Sequence, residues 1–349
     1  MKPEFFMQRS IELAKRGAGY TAPNPMVGAL LVYEARIIGE GWHQRHGEAH
    51  AEVNCLASVK DEDRDLVSKS TMYVTLEPCA HFGKTPPCAD LIITSHIPKV
   101  VIGCRDPFTK VDGKGISKLQ AAGVEVQLNV MEKECMDLNK RFLTFHTLHR
   151  PYIILKWAQS ADGKISSGTD KRLLISNEYS NRLVHRWRSE EAAILVGTNT
   201  VLMDDPSLTT RLWPGPSPIR LVIDMDLSLP QHLKIFDRKV RTIVFNTIKH
   251  EEQENLLYYQ VTHDVSLVHQ ITNALYQLNI QSVLVEGGAT TLQSFIEEGL
   301  WDETRVIQNS KLKIQTGLAA PDLPQAIKTE DQQFDDDIIE IFKPVGHDS

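Results

Sequence analysis

The chain has 349 residues, of which 42% are hydrophobic and 24% charged, values ordinary for a soluble globular protein of roughly two domains. The formal net charge of −7 disfavours nucleic acid as a substrate, because phosphate neutralisation dominates such binding, and a small molecule is the better prediction. Five cysteines, an odd number, indicate a reducing, cytoplasmic compartment, and neither a signal sequence nor a membrane-spanning apolar run is expected.

The first half alternates short apolar runs with amphipathic stretches. These patterns predict helices over residues 4–16, from about 49, over 88–95 and over 131–146, a hairpin pair of strands over 27–33 and 36–41, and further strands over 71–76, 99–104 and 124–128. The order predicts a helix–sheet–helix sandwich with parallel strands. In the helix that begins near Ala49, Val53, Leu56 and Ala57 are expected to face inward.

A zinc motif is the most informative feature of this half. His50 is followed by Glu52, and Cys79 and Cys88 follow downstream with eight residues between them. One imidazole and two thiolates are three ligands for a tetrahedral Zn²⁺, and water takes the fourth position. Zinc deaminases of nitrogen heterocycles use this ligand set with a non-ligand Glu as general acid/base. The motif therefore predicts a catalytic zinc site with Glu52 as the proton shuttle.

Two simpler interpretations of the same residues stay open. Cys79 and Cys88 could be unrelated buried thiols, since free cysteine is often buried. A structural zinc site would instead need a fourth protein ligand. The candidates for that ligand are Cys55, Cys104, His81 and His96.

The second half begins near Arg150-Pro151 and predicts another α/β domain. Strands are expected over 152–156, 192–196, 219–224, 241–246 and 282–286, and helices over 178–188, 266–278 and 290–298. Gly287 and Gly288 lie between a buried strand and a helix, where phosphate could approach backbone amides, although a tight turn alone would also need glycine. No Rossmann fingerprint opens this half.

Both halves resemble a known family, the bifunctional diaminohydroxyphosphoribosylaminopyrimidine deaminase/5-amino-6-(5-phosphoribosylamino)uracil reductases of riboflavin biosynthesis. The similarity lies in residues 23–28 (PNPMVG), 50–52 (HAE), 77–88 (EPCAHFGKTPPC), 106–107 (DP), 111–115 (VDGKG), 138–142 (LNKRF), 156–163 (KWAQSADG), 197–211 (GTNTVLMDDPSLTTR) and 285–288 (VEGG). The long interval between Cys79 and Cys88 is itself typical of this family. The resemblance covers nearly the whole chain.

The resemblance implies a cytidine-deaminase-like three-layer α/β/α domain over residues 1–147 and a dihydrofolate-reductase-like α/β domain over residues 148–349. The first would hydrolyse an amino group from a ribosylaminopyrimidine phosphate with one Zn²⁺ per chain. The second would use NADPH to reduce the ribosyl side chain of the product to ribityl. A homo-oligomer, either dimer or tetramer, with no nucleic-acid or membrane partner is expected.

In the deaminase half, the resemblance implies that Asn24 binds the pyrimidine and that His43, His81 and Lys84 hold ring or phosphate. Each has a simpler alternative. Asn24 between two prolines could be a turn residue, His43 could cap a strand, and His81 and Lys84 could be solvated loop residues.

In the reductase half, the resemblance places Lys156 and Glu286 as catalytic residues beside the ribose carbonyl, although a structural ion pair is the alternative. Arg188, Leu208, Arg211 and Glu286 match substrate positions, and Arg188 and Arg211 match those that bind the substrate phosphate. The cofactor positions are Ala158, Leu174, Thr200, Asp204, Gly288, Ala289, Thr290, Thr291, Leu292, Gln293 and Ser294. Asp204 could equally belong to a turn.

The second half departs from the family at residues 173–176 (LLIS), where a Trp is usual, at 165–172, and in the segment after Arg305. The loss of an aromatic surface at Leu174 predicts weaker cofactor binding. Two further hypotheses follow: a deaminase whose second half is a degenerate, non-catalytic scaffold, and a tRNA or nucleoside deaminase. The acidic balance and the long loop between the two zinc cysteines disfavour the latter.

Overall fold

A computed structural model describes residues 2–80, 82, 86–107, 113–168 and 173–346. The chain divides into two compact units, residues 1–149 and 150–349. This division falls two residues after the boundary expected between positions 147 and 148. No helix within the described ranges is long and apolar enough to cross a membrane.

The first unit contains one mixed sheet. Its elements are α1 (Pro3–Ala14), β1 (Gly28–Tyr33), β2 (Arg36–Trp42), α2 (Ala51–Ala57), β3 (Thr71–Leu76), α3 (Cys88–Thr94), β4 (Lys99–Cys104), α4 (Lys114–Ala121), β5 (Glu125–Gln127), α5 (Glu132–Leu138) and α6 (Lys140–Leu148). The strand order is β2-β1-β3-β4-β5. The hairpin expected for β1 and β2 is present, and β3, β4 and β5 are parallel to one another as expected. Strand β1 also runs antiparallel to β3, so the sheet is mixed and not wholly parallel.

Alternate residues of these strands enter two different hydrophobic cores. Leu31, Met72 and Ile102 pack with α2, α3 and α4 on one face of the sheet. Leu30 and Tyr73 pack with α1 and with Cys135 of α5 on the other face. Because successive strand side chains point to opposite faces, this burial pattern produces three layers, as predicted.

Two local expectations are wrong. Helix α2 starts at Ala51 instead of near residue 49, and Ala51 and Cys55, four residues apart, form its buried face while Ala57 is exposed. The single helix expected over 131–146 is broken at Asn139. The side chain of Asn139 accepts a hydrogen bond from the N–H of Met26 and donates one to its carbonyl, at 2.8 and 2.9 Å.

The second unit contains a larger sheet. Its elements are β6 (Tyr152–Gln159), β7 (Lys164–Ser166), α7 (Glu178–Glu190), β8 (Ala193–Gly197), α8 (Thr198–Asp204), β9 (Ile219–Ile223), β10 (Thr242–Asn246), β11 (Glu251–Gln253), β12 (Leu256–Gln260), α9 (Leu267–Gln277), β13 (Ser282–Val285), α10 (Ala289–Glu297), β14 (Glu303–Asn309), β15 (Leu318–Ala319), β16 (Ala326–Phe334) and β17 (Asp337–Pro344). The sheet order is β11-β12-β10-β9-β8-β13-β6-β14-β17-β16. The predicted strands and helices of this half are present. The sequence patterns did not indicate β7, α8, β11, β12 or the last four strands.

The centre of this sheet is parallel, from β12 through β10, β9, β8, β13 and β6 to β14. Helices α9 and α10 pack on one face, through residues such as Ile271, Leu275 and Phe295, and α7 packs on the other through Val184 and Trp187. Sites in such sheets form beyond the carboxyl ends of the strands.

Candidate active sites

The three predicted zinc ligands meet at the start of two helices in the first unit. His50 is the residue before α2, Cys79 follows β3 by three residues, and Cys88 is the first residue of α3. The Nδ1 atom of His50 lies 3.3 Å from the Sγ of Cys88 and 3.6 Å from the Sγ of Cys79. Ligands bound tetrahedrally to zinc at ordinary bond lengths lie about 3.6 Å apart, so the spacing and the donor chemistry fit Zn²⁺.

The protonation states also suit a metal site. A hydrogen bond from the Cys88 thiol, together with His50 and the Cys88 backbone N–H, lowers the pKa of Cys79 to about 4. Thiolate is the form of cysteine that binds metal. Within the described ranges no fourth His, Cys or carboxylate joins the cluster, and Cys55, Cys104 and His96 are not part of it. His81, the remaining candidate for a fourth ligand, lies outside the described residues. The three donors that meet here match the ligand set of a catalytic zinc site.

Glu52 lies beside the cluster on the first turn of α2, and its side chain is only 3% exposed. Burial, reinforced by the Cys79 thiolate, raises the pKa of its carboxyl group. A carboxyl group with a raised pKa takes up and releases a proton near neutral pH more readily than an exposed one. Its position and environment therefore suit a proton shuttle.

Asn24 and His43 form a hydrogen-bonded pair next to the cluster. His43 Nδ1 lies 3.0 Å from the carbonyl oxygen of Ala49, and His43 Nε2 lies 3.1 Å from the side-chain amide of Asn24. Because a carbonyl only accepts, Nδ1 carries the proton and Nε2 accepts from Asn24. Burial lowers the pKa of His43, which keeps the ring uncharged. His81 and Lys84, the other predicted substrate ligands, lie outside the described residues.

Glu77 is a structural determinant of this site that the sequence reasoning missed. Its buried carboxylate accepts hydrogen bonds of 3.0–3.4 Å from four backbone N–H groups, those of Asp106, Gly113, Gly115 and Ile116. A Cβ on Gly115 would lie 2.0 Å from the carbonyl oxygen of Pro78, so this approach requires glycine. Glu77 thus joins the zinc loop to the start of α4. The sequence feature that could have drawn attention to Glu77 is its position directly before Pro78 and the zinc ligand Cys79.

In the second unit, Lys156, Arg188 and Glu286 form a largely buried ion cluster. Strands β6 and β13 are parallel neighbours with Leu155 opposite Val285, so the next residues, Lys156 and Glu286, lie side by side. Arg188 donates to both Glu286 oxygens at 2.9 and 2.7 Å, and Lys156 Nζ lies 3.7 Å from Glu286. The structure therefore places Arg188 on the glutamate, and its match to a substrate-phosphate position stays a prediction.

The charges of this cluster control its protonation. Burial opposes ionisation of Glu286, but the charges of Arg188 and Lys156 outweigh it and lower the Glu286 pKa to about 2. Burial lowers the pKa of Lys156. Two cations against one carboxylate leave one net positive charge, which favours an anionic ligand.

Most of the predicted cofactor residues lie around the start of α10. Ala289, Thr290, Gln293 and Ser294 line a surface cavity of about 340 Å³, together with Glu297, Ala320 and Pro321. Gly288 precedes the helix, and a Cβ there would lie 3.5 Å from the Thr200 hydroxyl. Thr291 contacts the turn at Gly287, where a Cβ would meet its side chain at 2.9 Å. These backbone amides and hydroxyls suit a phosphorylated cofactor.

The remaining predicted residues are placed differently. The side chains of Leu208 and Leu292 are buried in hydrophobic cores, so only their backbone atoms could contact a ligand. Ala158 is half-buried on β6 two residues beyond Lys156, and Asp204 is the last residue of α8. Leu174 is 76% exposed. Arg211 is exposed, and its Nη1 donates to the Thr209 hydroxyl at 3.0 Å.

Known proteins match both units. Residues 1–104 match the family described as the cytidine and deoxycytidylate deaminase zinc-binding region, and residues 151–313 match the RibD C-terminal domain. The chain is 40% identical over 323 residues to the riboflavin biosynthesis protein RibD of Aquifex aeolicus, covering 91% of this chain and 89% of that protein. The Escherichia coli protein of the same name is 36% identical, with 89% of each chain covered.

A solved structure covers the whole fold. The Thermotoga maritima diaminohydroxyphosphoribosylaminopyrimidine deaminase/5-amino-6-(5-phosphoribosylamino)uracil reductase superimposes with a TM-score of 0.89 at 37% identity, covering 98% of each chain. Fold and matches together define the class, a bifunctional enzyme with a zinc-dependent deaminase domain and a reductase domain. The chain belongs to the RibD family of riboflavin biosynthesis proteins. The predicted fold class and the predicted zinc and NADPH cofactors are confirmed.

Proposed function

We propose that this chain catalyses two consecutive steps of riboflavin biosynthesis. The first is hydrolytic deamination of 2,5-diamino-6-(5-phosphoribosylamino)pyrimidin-4(3H)-one, and the second is NADPH-dependent reduction of the product's ribosyl side chain to ribityl. The main structural support is the cluster of His50, Cys79 and Cys88 with buried Glu52 beside it. Membership in the RibD family supports the pairing with a reductase.

In the deaminase site, His50, Cys79 and Cys88 would hold the metal. Zinc, when bound, lowers the pKa of water so that it attacks the ring carbon near neutral pH. Glu52 accepts one proton of the attacking water and passes it to the ring nitrogen, and it then carries the second proton, from the hydroxyl group that the attack leaves on the ring carbon, to the departing amino group, which leaves as ammonia. Asn24, oriented through its hydrogen bond to His43, binds the pyrimidine. His81 and Lys84 are proposed to hold ring or phosphate.

In the reductase site, residues around the start of α10 would hold the cofactor, with Ala158, Leu174, Thr200 and Asp204 as further proposed contacts. NADPH, when bound, supplies the hydride for the sugar carbon. Glu286, which stays ionised, is a poor proton donor, so Lys156 Nζ donates the proton to the sugar oxygen while Glu286 orients it. Arg211 is proposed to bind the 5-phosphate of the substrate. Leu208 and Arg188, the other predicted substrate residues, are proposed to contact the same side of the substrate.

The assembly and its surroundings belong to the same proposal. We infer a homo-oligomer, either a dimer or a tetramer, whose substrates are small ribosylaminopyrimidine phosphates and which acts in the cytoplasm without a nucleic-acid partner. The acidic net charge of −7 supports the absence of nucleic acid. The five cysteines are free, which suits a reducing compartment. Size-exclusion chromatography with light scattering tests the oligomeric state.

The scaffold hypothesis for the second unit is not favoured. A degenerate domain would have no need for a buried ion cluster with a net positive charge, yet Lys156, Arg188 and Glu286 are retained and in contact. The decisive experiment follows NADPH absorbance with the deaminated substrate and ammonia release with the aminated one. A protein that deaminates but oxidises no NADPH at millimolar cofactor would contradict the bifunctional proposal.

A further inference from the structure

His185 has no part in the roles assigned above, although it lies within the reductase site. It is on α7, one turn before Arg188, and its side chain is 2% exposed. The charges that act on its ring come from Arg188, Arg211, Glu286 and Lys156. A polar ring buried among the four charged residues of the proposed substrate site requires an explanation of its own.

One hydrogen bond defines the state of this ring. The backbone N–H of Arg211 donates to His185 Nδ1 at 2.9 Å. An amide nitrogen only donates, so Nδ1 is unprotonated and the proton lies on Nε2. Burial, followed by the charges of Arg188 and Arg211, lowers the pKa of His185 to about 4. The ring is therefore an uncharged acceptor at neutral pH and not an imidazolium acid.

The hydrogen bond fixes one end of a loop. Residues 205–211 leave α8 and carry Thr209 and Arg211 toward the site. Leu208 anchors the middle of this stretch, because its side chain is buried in the core and its φ of 51° sets a sharp bend. The backbone N–H of Thr210 donates to the Ser217 hydroxyl at 3.1 Å, and the backbone N–H of the next residue, Arg211, donates to His185. A loop held at several points presents its side chains in a defined direction, and the contact with His185 is the one made by Arg211 itself.

We propose that His185 is a positioning residue of the reductase: through Nδ1 it fixes the backbone of Arg211 and thereby the place where the Arg211 guanidinium meets the 5-phosphate of the substrate. This inference rests on the proposed function for the identity of the ligand. The position of the hydrogen bond does not depend on it.

Three substitutions separate the two ring nitrogens. His185→Phe keeps a ring and removes both nitrogens, His185→Asn keeps a polar atom near Nδ1, and His185→Gln keeps one near Nε2. Val184→Ala, at the neighbouring core position of α7, is the control for loosening the helix. For each full-length protein, ribose 5-phosphate binding is measured by calorimetry. Reduction kinetics are measured with the phosphorylated deaminated substrate and with its dephosphorylated analogue.

His185→Phe should weaken ribose 5-phosphate binding and raise KM for the phosphorylated substrate by about tenfold, the effect of leaving one buried N–H unpaired. The kcat and the kinetics with the dephosphorylated analogue should change far less. His185→Asn should recover most of the loss, and His185→Gln should not. Val184→Ala should not show the selective loss with the phosphorylated substrate. Zinc content and deamination should match the wild type.

Three results would each overturn the inference. They are equal losses with both substrates, recovery by His185→Gln instead of His185→Asn, and unchanged ribose 5-phosphate binding in His185→Phe. A wild-type chain that binds no ribose 5-phosphate would also overturn it. The binding measurement needs no turnover. Suppose that the affinity for ribose 5-phosphate depends on His185 as expected but that the protein oxidises no NADPH. This result would refute the proposed reductase activity and leave the positioning role intact.

Discussion

The two catalytic units of this chain are built on different principles. In the first, three ligand atoms lie within 4.8 Å of one another and come from a short motif at the starts of α2 and α3 and the end of β3. In the second, the charged residues come from β6, α7 and the end of β13, and Arg188 and Glu286 are 98 positions apart. A metal site is specified by a few donor atoms of the right type, whereas a hydride-transfer site depends on orienting two large ligands. The first unit should therefore fail abruptly on single substitutions and the second by degrees.

The largest effect is expected from removing a zinc ligand. Cys79→Ser should abolish stoichiometric zinc and reduce deamination to background, because a hydroxyl replaces a thiolate whose pKa the site has lowered. Metal analysis and ammonia release measure both. Cys55→Ala, which removes a buried thiol outside the cluster, is the control. Unchanged zinc content in Cys79→Ser would show that the ligand set is wrong.

Glu52→Gln should lower deamination by a factor on the order of 10² or more while zinc stays bound, as expected for a lost proton shuttle. NADPH oxidation with pre-deaminated substrate should not change. Glu48→Gln, an exposed neighbour, should behave like the wild type. Near wild-type ammonia release from Glu52→Gln would exclude the role assigned to Glu52.

Glu286→Gln should slow reduction by roughly 10- to 100-fold, since it removes the charged acceptor of Arg188 and Lys156. Deamination and zinc should be unaffected, and exposed Glu298→Gln serves as the control. The assay is NADPH absorbance with the deaminated substrate. If reduction stopped as completely as deamination does in Cys79→Ser, the expected contrast between the two units would be wrong.

The smallest effect concerns Leu174. Leu174→Trp should lower the apparent KM for NADPH by about fivefold, because an aromatic contact contributes roughly 1 kcal/mol beyond its area. Leu148→Trp adds the same ring at an exposed position of α6 in the first unit and should have no such effect. Equal KM values in Leu174→Trp and the wild type would show that position 174 does not contact the cofactor.

Much of this protein is readable in its sequence. Alternating apolar residues and short runs predicted most helices and strands of the first unit, and five central strands and three helices of the second. His50, Glu52, Cys79 and Cys88 were recognisable from residue type and spacing. Such predictions succeed because the spacing of buried apolar residues reflects the local geometry of a helix or strand, and because few residue types bind zinc. The same locality explains the failures, since the position of Asn139 within an apolar helical pattern did not show that its amide holds Met26.

Tertiary structure decided how those residues act. In the sequence, Arg188 is distant from Glu286, and His185 is distant from Arg211. Only the register of β6 and β13 and the docking of α7 joined Arg188 to Glu286 and His185 to Arg211. It also buried Leu208, which the sequence suggested as a substrate ligand. Hydrogen bonds and ion pairs act over a few ångströms, so their partners are set by packing between distant segments, which no local pattern of residues encodes.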